Sequence, residues 1–220
     1  MDFSSDTSAP AHPRVLEAMA AANTGFQSSY GNDQLTARLR SHLEEVFEKE
    51  DFDFWVTASG TASNALALSC FCPPTGAVLC HAGAHIAVDE RGAPEFFSGG
   101  GKLQLLGGPQ GQISEDALRG ALARINHDFV HETPAHVLSL TNLTENGTAY
   151  PVDQIAEYAA LARAKGLTVH LDGARLGNAL VSTGASPAEM SWKGGSLAAG
   201  SARRSAMANR TRRAASCGQS

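Results

Sequence analysis

Long apolar runs and paired cysteines are both missing from this chain of 220 residues. No run approaches the ~20 apolar residues of a membrane-spanning helix, so we expect no membrane contact. The four cysteines show neither CxxC spacing nor a zinc-type pattern with histidine; we expect reduced thiols and no metal site. The first ten residues, MDFSSDTSAP, are polar and acidic, unlike a signal peptide. These features predict a cytoplasmic protein.

Basic residues are few and unevenly placed. The formal net charge is −5, which argues against nucleic acid as a partner. The segment from Gly194 to Ser220 has five arginines and no acidic residue, whereas the first 193 residues have 12 basic and 22 acidic side chains. We therefore predict a domain over residues 1–195 and an atypical, disordered basic tail over residues 196–220.

The strongest local signal is the stretch LTVHLDGARLGN, from Leu167 to Asn178. Its apolar, β-branched beginning predicts a buried strand, and Asp172-Gly173 predicts the turn that ends it. An acidic side chain at the carboxyl end of a strand lies where open α/β sheets hold their ligands. A buried Asp172 needs a cation, either Arg175 or a protonated ring nitrogen of a bound cofactor. A purely structural ion pair is the alternative.

A second signal is the segment from Phe54 to Cys72, FWVTASGTASNALALSCFC. It predicts a strand, a turn at Ser59-Gly60-Thr61 and then an apolar helix. This order directs free backbone N–H groups and the positive end of the helix dipole at an anion, and Gly60 allows a close approach. An ordinary N-cap by Ser59 is the alternative.

Hydrophobic periodicity predicts further elements in an alternating order. Helices are expected over residues 13–23, 35–47, 114–125 and 152–165, and strands over residues 78–80 and 136–141. The helix that stops at Gly166 leads into the strand before Asp172, which makes a βαβ unit. The glycine clusters between residues 93 and 111 lack the G-x-G-x-x-G form, so they do not predict a dinucleotide site.

Five motifs in this order resemble the threonine aldolase and β-eliminating lyase family: S-D-T at Ser5, Y-G-x-D at Tyr30, S-G-T at Ser59, H-I-x-x-x-E at His85 and D-G-A-R-L at Asp172. The resemblance ends at about residue 195. It implies an α/β fold, namely the large domain of fold type I of the PLP-dependent transferases, incomplete at the C-terminus. In that domain a mostly parallel sheet is flanked by helices. The implied cofactor is pyridoxal 5'-phosphate (PLP).

The resemblance also assigns the residues of a PLP site. The phosphate is expected on the S-G-T turn, the pyridine ring under a histidine, the ring nitrogen beside the aspartate, and a carboxylate or the phenolic oxygen on the arginine. The cofactor-binding residues are then Ser59, Gly60, Thr61, His85, Asp172 and Arg175. A lone histidine near a strand end is more often structural, and this stays the alternative for His85.

Catalysis and substrate binding are assigned in the same way. The implied catalytic residues are His85, His131 and Asp172, and the implied substrate-binding residues are Ser5, Tyr30 and Arg175. His131 fits by spacing the family histidine before a strand, where it would assist proton transfer at the substrate hydroxyl; His127 and His136 compete for this role. The alternative for Ser5 is a helix N-cap.

The reaction implied is retro-aldol cleavage of L-threonine and other β-hydroxy amino acids to glycine and an aldehyde, in a homodimer or homotetramer. The family binds PLP covalently through a lysine downstream of D-G-A-R-L, in a segment like S-F-G-A-T-K. This chain has only Lys49, Lys102, Lys165 and Lys193, and Lys193 matches a position before that segment. We therefore expect impaired activity and loss of the oligomer.

The tail itself suggests how the lysine was lost. Residues 200–205, GSARRS, can be encoded by bases that spell Phe-Gly-Ala-Thr-Lys in the adjacent reading frame, so we expect a frameshift there. Three other interpretations stay open: another PLP enzyme of this fold, such as an aminotransferase or desulfurase; a non-catalytic protein that keeps a PLP or phosphate pocket; and a protein whose arginine-rich tail binds an acidic partner.

Overall fold

The computed structural model describes residues 10–196 and the backbone of two later strands, 198–201 and 205–208. The chain divides into two compact units, Met1–His42 and Leu43–Ser220. The helices are α1 (Pro13–Ala22), α2 (Gln34–Phe47), α3 (Gly60–Phe71), α4 (His85–Val88), α5 (Ala93–Phe97), α6 (Glu115–Arg124), α7 (Val152–Ala164) and α8 (Leu176–Thr183). The strands are β1 (Asp53–Trp55), β2 (Ala77–His81), β3 (Lys102–Leu106), β4 (Ala135–Thr141), β5 (Thr168–Gly173), β6 (Ala198–Ser201) and β7 (Ser205–Ala208). In the described part of the chain, no helix is long and apolar enough to cross a membrane.

The first unit contains α1 and the beginning of α2. Helix α1 starts at Pro13, where a missing N–H costs no helical hydrogen bond. The start of α2 is fixed by Asp33, whose carboxylate accepts hydrogen bonds from the backbone N–H and the hydroxyl of Thr36 at 2.8 and 2.7 Å. The apolar side chains of α1 stay about half exposed, with Met19 at 60%.

The second unit is built on a seven-stranded sheet with the order β1-β7-β6-β5-β4-β2-β3. Strands β2 to β6 pair in parallel with one another, whereas β7 is antiparallel to both β6 and β1. Parallel neighbours need crossover connections; α7 provides the one between β4 and β5. The predicted architecture, a mostly parallel sheet flanked by helices, is confirmed.

Side-chain alternation along the strands separates two apolar cores. Val78 and Cys80 of β2 pack with Leu68 of α3 on one face, while Leu79 belongs to the larger core on the other. In β5, Val169 and Leu171 belong to that larger core with α6 and α7. Asp172 has the opposite orientation and hydrogen-bonds to α3. The period of two therefore places the predicted site on the α3 face.

Three elements differ from what the sequence predicts. The glycine-rich stretch contains a strand, β3, which pairs with β2 at the edge of the sheet. Helix α8 follows the D-G-A-R turn directly. In the segment expected to be disordered, the backbone of β6 and β7 lies in the sheet; pairing uses only backbone N–H and C=O groups, which every residue except proline provides. The rest of that tail lies outside the described residues, and the boundary at residue 195 stays a prediction.

Candidate functional site

Asp172 lies at the carboxyl end of β5 and is 4% exposed. Its Oδ1 accepts a hydrogen bond from the backbone N–H of Ala174 at 3.0 Å, and its Oδ2 accepts one from the Asn64 amide at 3.0 Å. Within the described residues, no cationic side chain forms an ion pair with it. A buried carboxylate without a cation is costly, so this site is electrostatically suited to a cationic ligand group.

Asn64 joins Asp172 to a second buried acid. Its Nδ2 also donates to Oε1 of Glu90 at 2.9 Å, and the same Glu90 oxygen lies 2.8 Å from Nδ1 of His85. The Glu90 side chain is fully buried, whereas that of His85 is 40% exposed. Partial burial lowers the pKa of the His85 imidazole, but the Glu90 hydrogen bond and the charges of Glu90 and Asp172 outweigh it, so the pKa is raised.

Arg175 pairs with Glu145 and not with Asp172. Its Nη2 lies 3.0 Å from Oε1 of Glu145, and its Nε donates to the carbonyl of Leu143 at 3.3 Å. Oε1 of Glu145 also accepts the backbone N–H of His85 at 3.1 Å. The sequence suggested two cations for Asp172, namely Arg175 and a protonated ring nitrogen of a bound cofactor. Because Arg175 pairs with Glu145, the ring nitrogen is the one that remains.

The S-G-T turn begins α3 as predicted. Ser59 is the N-cap, and its hydroxyl accepts from the Ala62 N–H at 3.2 Å. The other first-turn N–H groups have no partner inside the helix by geometry. A Cβ built on Gly60 meets no atom within 4 Å, so the space in front of this turn is open. Capping by Ser59 and anion binding at Gly60 are compatible here, because they use different N–H groups.

One helix thus provides two parts of the candidate site. Asn64 follows Gly60 by four residues, about 6 Å along the axis of α3. This distance is comparable to the length of one substituted aromatic ring. The open turn at Gly60 suits a phosphate, Asp172 suits a protonated ring nitrogen, and the half-exposed His85, whose pKa the charge of Asp172 raises, provides a planar ring. These residues fit PLP, on the observations that Asp172 has no cationic partner among the described residues and that a Cβ on Gly60 would meet no atom within 4 Å.

His131 is not brought together with these residues. It is exposed in the loop between α6 and β4, with its ring 5.4 Å from that of Phe129. The same loop lines a groove with Ala77 and Lys102, the first residues of β2 and β3. This is the amino edge of the parallel strands, opposite the carboxyl edge that holds Asp172. The competing residues His127 and His136 contact each other at the amino edge, and a catalytic role for His131 stays a prediction.

The two predicted residues of the first unit remain untested. Tyr30 is fully exposed in a turn, with a φ of 61°, which is uncommon for a residue other than glycine. Ser5 lies outside the described residues. Their assignment to substrate binding stays a prediction.

Hydrogen bonds join six residues into one group, the Asp172 cluster: Asn64, His85, Glu90, Glu145, Asp172 and Arg175. None of the four lysines, all of which the structure describes, contacts this cluster. The Lys193 ammonium lies 2.6 Å from Oε2 of Glu48, and both it and Lys49 lie over the ring of Trp192, at 5.8 and 4.7 Å from its centre. The indole N–H of Trp192 donates to the Phe47 carbonyl at 2.6 Å. Lys193 is therefore held in an exposed ion pair, and the expectation that it is not the cofactor lysine stays a prediction.

Two residues of the cluster were not identified from the sequence. Asn64 is the only amide in an otherwise small and apolar stretch of α3, and an isolated polar residue on a buried helix face was its available signal. Glu145 belongs to none of the five motifs that resemble the family. No short-range pattern indicates that it reaches Arg175, 30 residues later.

Comparison with known proteins identifies the family. The family model described as beta-eliminating lyase matches residues 2–209. The low specificity L-threonine aldolase of Pseudomonas aeruginosa is 41% identical over 193 residues, 88% of this chain and 55% of the relative. The enzyme of the same name from Escherichia coli K12 is 32% identical over 190 residues, 84% of this chain and 53% of the relative. The chain thus spans about half the length of these curated relatives.

Solved structures agree with this assignment. A threonine aldolase from Leishmania major is 27% identical and superposes with a TM-score of 0.82, covering 91% of this chain and 59% of that one. Serine palmitoyltransferase from Sphingomonas wittichii, at 15% identity and a TM-score of 0.62, covers 91% and 50% and shows the shared fold alone. Because the family model matches residues 2–209, the chain belongs to the beta-eliminating lyase family.

Proposed function

We propose that this chain is the cofactor-binding part of a PLP-dependent lyase of the threonine aldolase type. Its reaction would be retro-aldol cleavage of L-threonine and related β-hydroxy amino acids to glycine and an aldehyde. The observation that carries the proposal is the buried carboxylate of Asp172, which has no ion-pair partner in the described part of the chain and lies on the same side of the sheet as the open turn at Gly60. The relatives named low specificity L-threonine aldolase support the choice of substrate.

When bound, PLP supplies the electron sink for the pair released as the Cα–Cβ bond of the substrate breaks. The protein's own residues prepare the site for it. The first turn of α3 binds the phosphate through backbone N–H groups. Asp172 keeps a proton on the ring nitrogen, because a buried carboxylate favours a neighbouring cation.

His85 and Arg175 serve the substrate. The Glu90 hydrogen bond and the nearby carboxylates raise the pKa of His85, and an imidazole can hold or give up a proton, so we assign His85 to the substrate hydroxyl. Arg175, whose guanidinium is part-exposed and oriented by Glu145, is suited to a carboxylate. Catalytic roles for His85 and Asp172, and a substrate role for Tyr30, belong to this proposal.

Assembly and location are also proposed. The family resemblance favours a homodimer or homotetramer acting on a small amino acid, with no nucleic acid as partner. The free cysteines Cys70, Cys72 and Cys80 favour a cytoplasmic location. Of these, Cys70 is exposed, whereas Cys72 and Cys80 are buried.

A second candidate function follows from the lysines. Because no lysine contacts the Asp172 cluster and Lys193 is paired with Glu48, the chain has no positioned amine for covalent attachment of PLP. We therefore retain the alternative of a non-catalytic protein that binds PLP or a related phosphate. Structural likeness below 25% identity gives no specific support to an aminotransferase or desulfurase.

The experiment titrates the purified chain with PLP and, separately, with pyridoxine 5'-phosphate, which has no aldehyde and needs no lysine. Binding of both, together with release of acetaldehyde from L-threonine, supports the lyase; binding without release supports the second candidate. Borohydride reduction followed by mass spectrometry then identifies any lysine that forms an adduct. If neither compound binds, both proposals are wrong. Asp172→Ala is the variant that should abolish binding in either case.

A further inference from the structure

The side chain of Asn64 has an unusual pair of acceptors. Both hydrogens of its amide nitrogen are used by carboxylates, Glu90 at 2.9 Å and Asp172 at 3.0 Å. Asn64 is 2% exposed and both acids are 4% exposed, so all three side chains are shielded from bulk water. Since one nitrogen bridges both, the two accepting oxygens are at most about 6 Å apart.

The orientation of this amide is determined by its surroundings. Within the described residues, its Oδ1 is buried and has no hydrogen-bond partner, which is costly for an acceptor. The reverse orientation would place Oδ1 against two carboxylate oxygens, where every contact is repulsive. The side chain therefore leaves its own acceptor unsatisfied in order to place a donor between two acids.

The two buried carboxylates differ in the hydrogen-bond donors that offset their charge. Glu90 shares its Oε1 with the ring of His85 at 2.8 Å. Among the described residues, the side chain of Asp172 has two donors, the Asn64 amide and the backbone N–H of Ala174. Without the Asn64 hydrogen, Oδ2 of Asp172 would have no partner among the described residues, and the carboxylate would rotate away from the neighbouring acid.

We propose that Asn64 is a positioning residue that fixes the Asp172 carboxylate toward the cofactor ring nitrogen and links it to the His85–Glu90 pair. This inference rests on the proposed function and deepens it. The amide of Asn64 holds both Asp172, beside the ring nitrogen, and the pair that includes His85, over the ring. A change of this amide therefore affects both groups.

The charged groups around His85 define what a titration would detect. Glu90 and Asp89 follow it in the chain, Asp172 reaches it from β5, and Glu145 accepts its backbone N–H from the loop after β4. The charges of Glu90, Asp172 and Asp89 all raise the pKa of His85. Glu145 is itself paired with Arg175.

The experiment compares three variants with the wild type. Asn64→Asp has the same shape but replaces the donor by an acceptor. Asn64→Ser keeps one hydroxyl hydrogen, enough for only one of the two carboxylates. Asn126→Asp makes the same chemical change in the exposed loop at the amino edge, and is the matched control. Two quantities are measured: the pKa of His85 by NMR without any ligand, and the Kd of pyridoxine 5'-phosphate with the absorption band that reports ring protonation.

Asn64→Asp should raise the pKa of His85, because it adds a carboxylate beside Glu90, and should weaken binding about 10- to 100-fold, the usual effect of removing such an outer hydrogen bond. Asn64→Ser should give an intermediate loss, and Asn126→Asp no change. In the weakened variants, the bound ligand should lose ring protonation at a lower pH.

Wild-type values for both quantities in Asn64→Asp and Asn64→Ser would overturn the inference. If the wild type fails to bind pyridoxine 5'-phosphate, the proposed function is wrong, whereas the His85 titration still decides whether Asn64 links the two acids. Circular dichroism checks folding, and if Asn64→Asp is unfolded, Asn64→Ser decides the outcome alone: an unchanged pKa and Kd in that variant reject the link.

Discussion

Replacing Gly60 by alanine should weaken phosphate binding without destabilising the protein. Gly60 is the first residue of α3, and it does not have the positive φ that would require glycine. Alanine can therefore adopt its backbone conformation. The added methyl group meets no protein atom within 4 Å, so it occupies only the space assigned to the ligand phosphate.

The substitution should have opposite effects on the stability of the protein and on the binding of the phosphate. Glycine in a helix costs roughly 0.5–1 kcal/mol relative to alanine, and the first turn should show the lower end of that gain in unfolding free energy. Forcing a methyl group into a close contact costs about 1–3 kcal/mol, which corresponds to an increase in Kd of about 5- to 150-fold. A variant that is as stable as the wild type and yet binds pyridoxine 5'-phosphate more weakly is the expected result.

The matched control is Gly120→Ala. Gly120 lies inside α6, and a Cβ there also meets no atom within 4 Å. It should gain stability without any change in Kd. The assays are urea unfolding for stability and titration with pyridoxine 5'-phosphate, monitored by its fluorescence. Unchanged affinity in Gly60→Ala would refute the phosphate site, and loss of stability would refute the open space in front of the turn.

Three further predictions concern buried polar groups. His170 is fully buried, and burial lowers its pKa to about 4, against the opposing charge of Asp172. Because the unfolded chain then binds more protons than the folded one, the free energy of unfolding should fall by on the order of 3 kcal/mol as the pH drops from about 6.5 to 4. His170→Asn should flatten this pH dependence in urea unfolding, and an unchanged slope would contradict the prediction. Asp172→Asn should lower the pKa of His85, measured by NMR, because it removes a charge that raises it; a constant value would show that the two groups are not coupled. Tyr150→Phe removes the acceptor of the buried Ile113 N–H, bonded at 2.6 Å, and should cost about 1–3 kcal/mol of unfolding free energy, so an effect below about 0.5 kcal/mol would mean that this N–H finds another partner.

Short-range patterns were sufficient for the elements that carry the site. The apolar run before Asp172 predicted β5 because a buried parallel strand has no polar face. The S-G-T turn predicted the start of α3, because capping and first-turn chemistry involve residues at most three positions apart. The glycine-rich stretch concealed β3, since an edge strand of five residues with mixed exposure has little periodicity.

The sequence by itself determined where α3 begins and where β5 ends, and with them the places of Gly60 and Asp172 in the fold. Only the tertiary structure decided which groups meet: Asp172 with Asn64, 108 residues earlier, and Arg175 with Glu145 instead of Asp172. It also separated His131, which the family resemblance had assigned to the site, from the carboxyl edge of the sheet. The physical reason is that capping and strand periodicity are set by neighbouring residues, whereas a hydrogen bond across the sheet depends on strand order and on the direction in which each strand runs.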